Sequence, residues 1–97
     1  TLTGELARAL ARLVEAAVHA RRFADAAMMQ RRLVTLDPFA PRPAQRCIEL
    51  LAAAGDPSGA LAFGRAWLAT VAAELEVAPD PGLVAILERI AAASPVP

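Results

Sequence analysis

Ninety-seven residues set ten arginines, with no lysine, against ten carboxylates, for a formal net charge of zero and a pI near 6.5. A chain of this length folds as one domain, and the balance argues against nucleic-acid binding by this segment alone, which usually requires a basic face. No apolar run approaches the roughly 18 residues of a membrane span, and a lone cysteine excludes an internal disulfide and fits a reducing cytoplasm.

Alanine is abundant enough to inflate the 57% hydrophobic fraction, so that figure does not indicate a membrane protein. The alanine and arginine bias reads as the signature of a GC-rich genome and carries no function. Thr1-Leu2-Thr3-Gly4-Glu5 shows neither the basic nor the apolar region of a signal peptide. A start without Met, straight into a helical pattern, reads as a piece of a longer protein.

The first predicted helix runs from about Thr3 to Ala20, with Leu6, Leu10, Leu13, Val14 and Ala17 on an inward stripe. Arg8, Arg12, Glu15 and His19 follow the same period on another stripe. A second helix is predicted from Ala24 to Leu36, with Ala26, Met29, Leu33 and Leu36 inward. Asp37-Pro38-Phe39-Ala40-Pro41-Arg42-Pro43 cannot continue it, because each proline lacks a donor and restricts its predecessor. Helix three is predicted from Arg42 or Pro43 to Ala54, burying Cys47, Ile48 and Leu51, with Gly55 as a left-handed C-terminal stop. Asp56-Pro57 is a cap followed by a first-turn proline, and it opens helix four, to Glu76. Ala60, Phe63, Trp67, Val71 and Leu75 are its predicted inward residues. Asp80-Pro81 repeats the device and opens helix five, to Ala93, with Leu83, Ile86, Leu87 and Ile90 inward. Residues 1–93 are expected to form the domain, and 94–97 a tail or linker. Nothing alternates with period two, so no strand is expected.

Two stretches match at an offset of 34 residues. Ala20 falls on Ala54, Ala26 on Ala60, Met29 on Phe63, Arg31 on Arg65, Leu33 on Trp67 and Val34 on Leu68. Thirty-four is the period of the tetratricopeptide helix–turn–helix repeat, a unit that holds other proteins instead of doing chemistry. The predicted fold is therefore all-α: a tetratricopeptide-like stack of antiparallel helix pairs, five helices in all, with the last as a C-terminal cap. Ala26 and Ala60 are expected where paired helices cross closely.

The runs Arg32-Leu33-Val34-Thr35-Leu36-Asp37-Pro38-Phe39, Leu50-Leu51-Ala52-Ala53-Ala54-Gly55-Asp56 and Ala73-Glu74-Leu75-Glu76-Val77-Ala78-Pro79-Asp80-Pro81 resemble the bacterial transcriptional activator domain. That domain is the tetratricopeptide-like regulatory half of SARP-type transcription regulators. The Glu74–Pro81 segment is the more specific part, and the resemblance extends from about Leu6 to Ile90. It implies a helical stack that follows a winged-helix DNA-binding domain in an intact regulator; no winged helix is present in this chain. Helix four departs from the pattern, with the smoother Ala62-Phe63-Gly64-Arg65-Ala66-Trp67-Leu68-Ala69. Related domains also occur fused to signalling ATPases and kinases.

Most polar singletons read as structural. His19 lacks the partners that metal or catalytic work demands and suits a helix C-terminus. Cys47, on an apolar stripe, reads as a buried small hydrophobe; Trp67 reads as core. Arg21-Arg22 and Arg31-Arg32 read as solvated surface charges. One constellation stands out. In a tetratricopeptide stack the first helix of each pair lines the concave face, which here would carry Arg8, Arg12, Glu15 and His19 with Arg42, Gln45, Arg46 and Glu49. This mixed-charge groove is the candidate partner-binding face.

The sequence therefore reads as a non-catalytic protein-interaction module of a bacterial transcription regulator. Its expected partners are proteins: its own DNA-binding domain, another copy, or the transcription machinery. No cofactor, metal, membrane or direct nucleic-acid contact is expected. Two other readings are a generic scaffold in a signalling ATPase or kinase with no DNA link, and a helical domain holding a ligand between helices.

Overall fold

Three of the five helices begin at a side-chain cap that the sequence dictates. Thr1 accepts from the Gly4 amide at 3.1 Å, Asp56 from Gly59 at 2.9 Å and Asp80 from Leu83 at 3.0 Å. Each cap satisfies one of the amides that a helix start leaves unpaired. The computed structural model describes residues 1–93; the expected tail at 94–97 lies outside them. The helices are α1 (Leu2–His19), α2 (Phe23–Leu36), α3 (Pro41–Ala53), α4 (Pro57–Leu75) and α5 (Pro81–Ala93). There is no strand among the described residues.

The 34-residue period holds bond for bond at the turn after the first helix and the turn after the third. Arg22 N–H donates to Ala17 O at 2.8 Å, and Asp56 N–H to Leu51 O at 3.0 Å. Arg21 N–H donates to Val18 O, and Gly55 N–H to Ala52 O, both at 3.0 Å. These are the paired bonds of a Schellman stop. The residue at its left-handed position is Arg21 (φ 58°) in the first turn and Gly55 (φ 82°) in the second.

Each helix packs on its chain neighbours, and α5 also touches α3. The result is a slab of 42 × 35 × 16 Å, too thin for any helix to be surrounded. The core runs along its length through Val14 and Ala17, Ala26 and Ala27, Ala44, Cys47 and Ile48, Ala60 and Trp67, to Leu83, Ile86 and Leu87. Ala26 and Ala60 are fully buried, as the repeat requires. Leu83, Ile86 and Leu87 are buried and Ile90 is half-buried, so α5 covers α4 with the expected residues.

Three inward assignments need correction. Leu6 and Leu13 are exposed, because α1 packs on α2 alone and buries only the narrow arc of Leu10, Val14 and Ala17. Leu75 is exposed at the end of α4, beyond the reach of its neighbours. On α2, Met29, Leu33 and Leu36 are half-buried, while Ala27, Gln30 and Val34 are buried. A helix held between two neighbours buries an arc wider than one stripe, and its closest approaches fall to small residues.

Candidate protein-binding faces

The eight predicted groove residues come from two helices that do not pack on each other. α1 and α3 both rest on α2. The gap between them is spanned by one ion pair, Arg46 Nη2 to Glu15 Oε1 at 3.0 Å. Arg8, Arg12, His19, Arg42 and Glu49 are exposed, and Gln45 and Arg46 are half-buried. Glu15 and His19 also border a shallow depression with Val18, Arg21 and Phe23. Only one other ion pair forms among the described residues, Arg22 with Asp25 at 3.5 Å. Arg8, Arg12 and Arg42 therefore have no carboxylate partner among the described residues. Four arginines against two glutamates leave this face with two net positive charges, on a domain that is neutral overall.

The singletons are structural in the main. Trp67 Nε1 donates to Pro38 O at 2.8 Å, pinning the α2–α3 linker to α4. Buried Gln30 ties α2 to the first turn of α3, its Nε2 donating to Pro43 O at 3.1 Å. Cys47 Sγ lies 4.0 Å from Ala27 O, and burial pushes its thiol up to about 11 against a weaker opposing pull from Arg31. Such a thiol stays protonated, the opposite of what a reactive cysteine needs. Arg31 is not simply solvated: its guanidinium stacks 5.2 Å from the centroid of the Phe63 ring. Among the described residues no cluster of three or more His, Cys, Asp or Glu is placed to hold a metal ion, and no helix is long and apolar enough to cross a membrane.

A second concavity was not anticipated. Phe39, Trp67, Val71, Leu75, Val77 and Pro79 line an open apolar groove of about 460 Å³ beside the α4–α5 connection. Its sequence signal was present: Leu75, Val77 and Pro79 alternate within the segment that carried the family resemblance.

The sequence model of the bacterial transcriptional activator domain matches residues 1–91. The chain belongs to that family. Searches of curated proteins and of solved structures returned no match. For this activator domain the family fixes a role in transcription regulation, and the Glu74–Pro81 segment gains a structural meaning. Glu76 takes the left-handed conformation (φ 53°) that ends α4, Val77 and Pro79 turn to the groove, and Asp80 caps α5.

Proposed function

We propose that this domain is a non-catalytic docking module of a cytoplasmic bacterial transcription regulator, and that its α1/α3 face receives an acidic protein surface. The supporting observation is the unbalanced charge there: among the described residues Arg8, Arg12 and Arg42 lack carboxylate partners, while Arg46 is held in place by Glu15. Exposed ion pairs contribute little to folding, so three unpaired arginines on one face are better explained by a partner than by stability. The partner is the regulator's own DNA-binding domain, another copy or the transcription machinery. Electrostatic complementarity of this kind sets the encounter rate and the specificity more than the raw affinity.

The test is a binding titration between the domain and its regulator's DNA-binding domain, with an acidic peptide as a probe of the face itself. Reversing Arg8, Arg12 and Arg42 to Glu should lower the affinity at least tenfold at low salt while the helical circular dichroism stays unchanged. Unaltered binding by the triple variant would remove the α1/α3 face from the function.

A further inference from the structure

The exposed leucines of α1 form an ordered seam. Leu2, Leu6, Ala9, Leu13, Ala16 and Ala20 follow one another in steps of four and three, the heptad spacing of a helix that packs on another helix. They lie on the flank of α1 turned away from Glu15, the residue that reaches toward α3. Leu2, Leu6 and Leu13 are 84, 48 and 53% exposed; Ala16 and Ala20 are exposed and Ala9 is half-buried. Among the described residues no other helix reaches this flank, since α1 packs on α2 alone.

The order of large and small residues along the seam identifies its occupant. An antiparallel copy of α1, centred between Ala9 and Leu13, sets Leu2 against Ala20, Leu6 against Ala16 and Ala9 against Leu13. Every layer then holds one leucine and one alanine, so all layers have the same volume and the helices approach evenly. A parallel copy sets Leu2 on Leu2 and Ala9 on Ala9, alternating overfilled layers with voids. We propose that the domain self-associates through α1, as a two-fold antiparallel pair. The seam is about 27 Å long and about 10 Å wide, so two of them bury well under the roughly 1,200 Å² of a standard interface. The pair is accordingly weak and reversible, populated at high micromolar concentrations and above.

Sedimentation equilibrium of the chain from about 10 µM to about 1 mM should show a monomer–dimer equilibrium. Leu6→Glu with Leu13→Glu should leave only monomer. Ala16→Glu, at an exposed position outside the core, should weaken association at least tenfold. Orientation is read by oxidative cross-linking of single cysteines. Arg12→Cys, beside the two-fold axis, should form a linked dimer; Glu5→Cys should not, because its copies lie about 18 Å apart along the helix. Cys47 is buried and silent in both. A chain that stays monomeric at about 1 mM overturns the proposal, as do association that survives Ala16→Glu and cross-linking through Glu5→Cys as efficient as through Arg12→Cys. Self-association and binding of an acidic peptide are separate readouts, so this proposal and the α1/α3 reading fail independently.

Discussion

Arg21 and Gly55 do the same job with different chemistry. Both occupy the left-handed stop of a helix, 34 residues apart. A side chain in that conformation costs roughly 1–2 kcal/mol, and glycine avoids most of it at the expense of chain entropy. Arg21→Gly should therefore stabilise the domain by about 1 kcal/mol. Gly55→Ala should destabilise it by a similar amount. Denaturant unfolding of both variants checks the pair, and shifts of the same sign would show that the two turns are not equivalent.

The buried alanines make a second residue-scale test. Ala60 is fully buried, whereas Ala62 faces solvent on the same helix. Ala60→Leu should cost about 1–3 kcal/mol through overpacking, and Ala62→Leu much less. Thermal melts that fall equally, or further for Ala62, would break the assigned helix register. Cys47 supplies a third. The chain has no tyrosine and no lysine, the side chains whose ordinary range overlaps that of a thiol. Between pH 9 and 11 the thiol is the one side chain that titrates. Its folded pKa is raised, from 9.0 to about 11. Below pH 9 both states are protonated and its contribution is full. Above that the unfolded chain loses its proton first, so stability falls as pH rises from 9 towards 11. Cys47→Ala should flatten that limb of the stability profile, and an unchanged slope would show that the thiol is not its source.

At the scale of elements, the helices and the repeat were legible because punctuation and period are local. Asp-Pro caps, a glycine stop and proline breaks placed the helix ends within about two residues, which is as fine as assignments themselves agree. Burial was less legible, since an apolar stripe does not say whether a neighbour exists. The same heptad spacing that buries Leu10 and Val14 leaves Leu6 and Leu13 outside, because α1 packs on α2 alone. Gln30 was missed for the opposite reason. Its amide is buried where it donates to the Pro43 carbonyl in the first turn of α3, a contact that arises only in three dimensions. The candidate groove residues were recognisable as one polar stripe on each of two helices, but the Glu15–Arg46 tie and the apolar groove at Trp67 depend on how the helices stack. At the far end, α5 closes the stack through Leu83, Ile86 and Leu87. Gly64 marks its closest approach: a Cβ there would lie 2.5 Å from Leu87 Cδ2 and 3.0 Å from Ile48 Cδ1. Removing residues from Pro81 onward should expose this surface, lower the melting temperature and promote association. A truncated chain that melts like the full one and associates no more strongly than it does would show that α5 is not a cap.

For the whole molecule the decisive quantity is the distribution of charge. Ten arginines could in principle hold a phosphate backbone, but ten carboxylates accompany them. Arg22 and Arg46 are already paired, and Arg31 lies over Phe63. Duplex binding draws its affinity from the counterions released by several phosphate contacts, and even non-specific binders reach dissociation constants of about 10⁻⁴–10⁻⁶ M that way. The α1/α3 face has a surplus of two charges, on a gap between helices crossed by a carboxylate. That is enough to orient an acidic protein segment and too little to grip a backbone carrying one charge per roughly 1.7 Å. The isolated domain should accordingly leave duplex DNA unbound at physiological salt up to about 100 µM, in fluorescence anisotropy with a duplex from its regulator's own promoter region. The acidic peptide, under the same conditions, should bind and should weaken as salt is raised. Specific DNA binding at micromolar concentrations or below would overturn the assignment, because it would require a basic surface that neither the charge balance nor the arrangement of these arginines supplies.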